Sequence, residues 1–250
     1  MQGACEARRR APCLPCGARA GARVRNPSPT MGHMDRYHCE VTALRSMTPR
    51  EVRDAVNAFS ARYVEDWEQW LAVSAGRRAE LFGIILRRWQ AARPLVMRRS
   101  RSEAMHGPPF LDDLLEMAQG PMRDLGDLTV STVAQRTAEQ DLAMGTLWDL
   151  FADLPVAGRA TCVGRTKSVL LLTNGRIGPA FDQKVRDRTR LRKPSTSSEW
   201  VTYLECITED IAAFEAAHGP LSVVVDPRFA HLKVGRLYDM ALGPRGPETA

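Results

Sequence analysis

The residues of this 250-residue chain that carry chemistry gather between positions 154 and 193. Leu154-Pro155 is followed by Thr161-Cys162-Val163-Gly164-Arg165-Thr166-Lys167-Ser168-Val169-Leu170, then by Pro179-Ala180-Phe181-Asp182-Gln183-Lys184-Val185-Arg186. In order these read as a helix, a tight glycine turn at Gly164, an apolar helix, a Gly/Pro loop, and a basic helix opened by Asp182. An aspartate in that place serves either as a helix N-cap, the commoner use, or as an acid free for catalysis. Lys184, Arg186, Arg188, Arg190, Arg192 and Lys193 come after it with Asp187 as the only acid among them. Spread around a helix, they suit a solvated face more often than a phosphate-binding one. Lys167, on an apolar helix, is expected to snorkel towards water. Asp226 and Asp239 are two further acids that the fold could bring beside Asp182.

Other chemistries find little to work with. Cys13-Leu-Pro-Cys16 has the spacing of half a zinc site, and Cys39 with His33 or His38 would complete four ligands. Without a second pair of proper spacing, the pattern fits chance in an Arg-rich segment better. His106, His218 and His231 are isolated, and neither HExxH, GxSxG, GxxxxGK[ST] nor GxGxxG occurs, so no metal or cofactor is expected.

The 154–193 stretch resembles the helix-hairpin-helix DNA glycosylase superfamily in degenerate form. More closely, it is similar to uncharacterised bacterial proteins with a Lys-x-x-Leu helix (Lys167 to Leu170) followed by Pro-x-x-Asp (Pro179 to Asp182). The resemblance implies an all-α helical globule with a degenerate helix-hairpin-helix element, and DNA as the partner. Backbone amides of Val163, Gly164 and Arg165 would meet a DNA phosphate at a helix N-terminus, whose dipole favours the anion. Lys167, Lys184 and Arg186 would support that contact. Asp182 would stabilise cationic charge on the sugar or assist the attacking water, in monofunctional base excision.

The departures from the pattern have consequences. Thr161-Cys162 stands where the family has Pro-Gly, so only Gly164 of the glycine pair is kept. The Schiff-base lysine of bifunctional members would fall at Thr166, with Lys167 one step on, roughly 100° around the helix. Lyase chemistry is therefore not implied, and there is no cysteine cluster for an iron–sulfur centre. The rival reading is a non-enzymatic interaction or scaffold protein that retains the fold but not the site.

Composition sets the frame. With 44% hydrophobic and 26% charged residues, the chain is that of an ordinary globular protein, which excludes a fibrous or wholly disordered one. Its apolar runs, such as Val169–Leu172 and Val223–Val225, fall far short of a membrane span, so no membrane partner is expected. The net charge of +6 is unevenly placed: residues 1–46 hold eight arginines against Glu6, Asp35 and Glu40, leaving only +1 for the rest. Bulk charge therefore does not argue for nucleic acid. Four lysines stand against 31 arginines, the bias of a GC-rich genome. We read residues 1–46 as a disordered basic tail or a misassigned start, with Met31, Met34 or Met47 as the real beginning. Residues 47–243 form one helical domain, and 244–250 a disordered tail. Cys162 and Cys206, alone in the folded part, fit a reducing cytoplasm without a disulfide framework.

The elements that must position Asp182 and Gly164 are helical throughout. Thr48-Pro49-Arg50-Glu51 is a capping box with proline at the first helical position. From it a stripe of Val52, Val56, Phe59, Tyr63, Trp67, Trp70 and Leu71 runs at three- and four-residue steps. Leu81–Trp89 reads as a second helix, Phe110–Met117 as a short one ended by Gly120-Pro121, and Ser131–Phe151 as one or two more. Thr196-x-x-Glu199 is a capping box opening a helix that carries Trp200, Leu204, Ile207, Ile211 and Phe214. Leu221–Val225 starts a helical turn, since a lone strand would have no partner, and Val234–Leu242 is the last helix. The tryptophans on these stripes are core residues before they are base-stacking platforms.

Overall fold

The computed structural model describes residues 40–91, 111–154 and 160–245. Its ten α-helices are α1 (Pro49–Asn57), α2 (Ala61–Ala72), α3 (Arg78–Arg88), α4 (Leu111–Asp124), α5 (Ala138–Leu150), α6 (Cys162–Leu172), α7 (Gln183–Thr189), α8 (Ser197–His218), α9 (Leu221–Val224) and α10 (Val234–Leu242). Short 3-10 turns join several of them, and no strand occurs among the described residues, so the fold is all-α. The long α8 lies against the 3-10 turn Val130–Gln135 and against α5, where Trp148 and Trp200 stack at 5.5 Å. α1 packs on α10, α4 on α5, and α6 on both α3 and α5.

The caps form largely where side-chain chemistry demands them. Glu51 N–H donates to Thr48 Oγ1 at 3.2 Å while Thr48 N–H donates to the Glu51 carboxylate at 2.7 Å, closing the box at α1. At α8 only the forward half forms: Glu199 N–H reaches Thr196 Oγ1 at 3.1 Å, but the Glu199 carboxylate accepts instead from the amide and hydroxyl of Ser195. A third box, Thr137 with Gln140 at α5, was present in the sequence as Thr-x-x-Gln and went unread. α9 and α10 begin and end as the pattern requires.

Several expectations are corrected. The stripe from Val52 to Leu71 is two helices: Ser60 takes an extended ψ of 121°, Phe59 forms an isolated bridge with Arg245, and Leu71 is 44% exposed. α4 runs through Gly120-Pro121 to Asp124, although Pro121 has no N–H to give to the ladder. Leu125 N–H still closes on Pro121 O at 3.0 Å. Gly164 lies inside the first turn of α6, not in a turn preceding it. The packed domain also begins before residue 47. Val41 and Leu44 are buried, and Leu44 and Arg45 donate their amides to the buried Asp210 of α8 at 2.8 and 3.0 Å. Cys206 is disulfide-bonded, which corrects the expectation of no disulfide; Cys162 is free and buried. The pattern of Cys13, Cys16, Cys39, His33 and His38 lies outside the described residues, as does His106.

Candidate functional site

α6 is buried along nearly its whole length, yet carries Thr166, Lys167 and Ser168 in its middle. The hydroxyls are satisfied within the helix: Thr166 Oγ1 donates to Cys162 O and Ser168 Oγ to Gly164 O, each at 2.8 Å. Thr166 Oγ1 also accepts from Phe181 N–H at 3.0 Å, while Ala180 N–H donates to Asp239 Oδ1 at 3.0 Å. These two bonds clamp the Pro179–Asp182 turn, entered through a cis Gly178–Pro179 peptide, between α6 and α10. A Cβ at Gly178 would press on Leu170 Cδ1 at 2.5 Å and on the backbone oxygen of Gly235 at 3.1 Å.

The clamped turn delivers Asp182 to the start of α7 as its N-cap, Oδ1 accepting from Val185 N–H at 3.0 Å. Its Oδ2 lies 4.0 Å from Lys167 Nζ. Lys167 therefore does not snorkel. Its ammonium turns inward, 8% exposed, donates to Trp89 O at 2.9 Å and sits 5.9 Å from the Tyr63 and Trp89 ring centres. It is thus no surface contact for a phosphate. Beside it the fully buried Arg236 stands over Phe59, Trp67 and Trp89 at 4.9, 4.6 and 5.4 Å and donates to Asp239 Oδ2 at 2.7 Å. Of the two extra acids, Asp239 joins this cluster, while Asp226 caps the 3-10 turn at Pro227–Phe229.

Burial pulls the proton affinity of Lys167 down, against the opposing pull of Asp182 and Asp239, and burial raises that of Asp239 despite Arg236. An amine and carboxylates in such surroundings can exchange a proton, and perturbed groups of this kind cluster at functional sites. The cavity among Tyr63, Trp89, Lys167, Asp182, Arg236 and Asp239 holds about 10 Å³, room for a water but not for a nucleobase.

The lowered Lys167 affinity has a measurable sign. The folded form binds its proton less tightly than the unfolded chain, so this group's contribution to stability rises as pH climbs from its folded pKa towards the ordinary 10.5. The unfolding free energy of the wild type relative to Lys167→Met should therefore grow as pH rises towards the ordinary 10.5 and level off above it. A difference that stays flat would contradict the inward-facing ammonium.

The start of α6 gathers a second set. The Thr161 side chain makes no cap bond to its first turn, whose leading amides lack intrahelical acceptors, although Val163 N–H meets the Cys162 sulfur. Arg165 is the exception among the expected contacts, since its amide donates to Thr161 O at 3.1 Å, and its guanidinium stacks on Trp148 at 4.8 Å. Val163 is half-buried and Lys184 exposed. Gly164 faces inward: a Cβ there would lie 2.9 Å from Ala91 O, so its lack of a side chain serves packing against the end of α3. Gly164→Ala is accordingly expected to cost about 1–3 kcal/mol in denaturant unfolding. Cys162, at the same turn, is pushed up by burial, against the opposing charges of Lys193, Arg186 and Arg165. Neither Arg186 nor Lys193 has a carboxylate partner among the described residues, and the buried Arg186 Nε has no hydrogen-bond acceptor.

Sequence reading named Asp182, Gly164 and Arg186, and raised Asp239 as a neighbour. It missed Arg236 and the aromatic walls, whose only signal was the helical stripe shared by any core. No helix among the described residues is long and apolar enough to cross a membrane, and no group of three or more His, Cys, Asp or Glu among them is arranged to hold a metal. Neither a protein-family model, a curated protein nor a solved structure matches this chain.

Proposed function

We propose that this protein binds DNA, anchoring a backbone phosphate at the first turn of α6. The observation that carries this reading is the start of α6, where Thr161 makes no side-chain cap bond, the Cys162 thiol feels the charges of Arg186 and Lys193, and neither cation has a carboxylate partner among the described residues. Helix dipole and cations favour an anion together, and a contact to the backbone is independent of sequence. Asp182 opens the neighbouring α7, with the exposed Lys184 two residues on. Base excision by Asp182 is the finer form of this proposal. A scaffold that has lost the site is the rival, favoured by the capping bond of Asp182 and by the 10 Å³ cavity.

The test is a titration of the full chain with labelled duplex across roughly 50 to 200 mM salt. Binding should weaken with salt, and Arg186→Gln and Lys193→Gln should each flatten the slope of log K against log salt by about 1. Asp182→Asn should leave binding in place and, where excision occurs, abolish base release. No binding at low salt leaves the scaffold reading. Gly164 substitutions are poor probes here, since they disturb packing first.

A further inference from the structure

α7 presents a second face. Arg188 lies two residues beyond Arg186, roughly 200° around the helix, and points away from α6: its Nη1 donates to Ala241 O of α10 at 2.9 Å. On this side an open cleft of about 530 Å³ separates the end of α7 from the segment leading into α1. Arg188, Arg190 and Arg245 line it, facing Thr42 and Ser46. That volume lies within the range of small-molecule sites.

Three arginines share this cleft, and among the described residues no carboxylate forms an ion pair with any of them. Glu51, at the rim, already accepts from the amide and hydroxyl of Thr48 at 2.7 and 2.8 Å. Glu40 lines the cleft but pairs with none of the three. Arg188 feels the charge of Arg245 as a like neighbour. The Arg188 guanidinium is tied to α10, and the backbone of Arg245 bridges Phe59. Arg190 ends α7 in the left-handed region with φ of 58°, where glycine would be free of strain. Gathering like charges in one cleft is unfavourable unless an anion joins them, and guanidinium forks match phosphate oxygens two at a time.

We infer that the cleft between the 40–47 segment and the end of α7 binds a small phosphorylated molecule, its phosphate held by Arg188, Arg190 and Arg245. The site is concave and lies on the other side of α7 from the proposed DNA contact, so it stands or falls separately.

The probe is inorganic pyrophosphate, titrated against the full chain and read as thermal shift and heat of binding, with potassium chloride matched in ionic strength. A saturable rise in Tm beyond the chloride control is expected. Arg190→Gly removes the charge and relieves the left-handed strain, so it should leave the unliganded protein at least as stable while weakening pyrophosphate tenfold or more. Arg245→Gln should weaken it similarly, and Arg123→Gln, on α4, should not. Saturating pyrophosphate should leave duplex binding unchanged. The inference is overturned by no shift above the chloride control, or by wild-type affinity in both cleft variants. Competition between pyrophosphate and duplex would assign the arginines to the DNA backbone and overturn it equally.

Discussion

Asp239→Ala is expected to destabilise the protein by about 3–5 kcal/mol, because it strands a guanidinium inside the core. Arg236 is 2% exposed, its Nε has no acceptor, and its Nη1 relies on Asp239 Oδ2 at 2.7 Å. The same substitution removes the acceptor of Ala180 N–H and so loosens the turn that carries Asp182. Replacing both partners together, Arg236→Leu with Asp239→Leu, should cost much less than the single change, since no charge is left without a partner. Chemical denaturation of the three proteins measures this directly. A single variant as stable as the double would show that the buried pair is not the source of the loss.

Gly235→Ala should rank next, at up to about 3 kcal/mol. At the start of α10 an added Cβ would lie 2.7 Å from Gly175 O, 2.9 Å from Gly178 N and 3.0 Å from Arg176 O. All three are backbone atoms of the loop before the Pro179 turn, so no side-chain rotation can make room. Arg236 N–H donates to Gly175 O at 3.0 Å across the same contact. Gly145→Ala is the control. It sits within α5, where the added atom would meet only Ser197 Oγ at an ordinary 3.9 Å, and should stabilise by roughly 0.5–1 kcal/mol. If Gly235→Ala proved as benign as Gly145→Ala, the close packing of α10 on this loop would be wrong.

What the sequence disclosed followed the range of the interactions involved. Caps operate over three residues, so the helix starts at Thr48 and Thr196 and the cap at Asp182 could be read from local chemistry. α10 was legible because Lys233 and Gly243 bound an uninterrupted apolar pattern. The break at Ser60 was not, since the apolar spacing carries on across it and the bridge from Phe59 reaches to Arg245. Pro121 misled because the helix continues past it, with Leu125 N–H closing on Pro121 O. The direction of Lys167 depends on a carbonyl 78 residues earlier in the chain, and no local pattern reports that. Gly164 was legible as a special position but not as to purpose: its neighbour is Ala91, inside the protein, and helical spacing says nothing about which chain segment crosses there.

The Asp210 carboxylate of α8 accepts from Leu44 N, Arg45 N and Tyr238 Oη, the last at 2.9 Å, joining the first described residues to the last helix through one buried group. The Leu44 amide is buried on this carboxylate and the Arg45 amide half-buried. The Leu44 hydrogen should therefore exchange with deuterium much more slowly than those of its exposed neighbours Thr42 and Ser46, and Asp210→Ala should bring it to their rate.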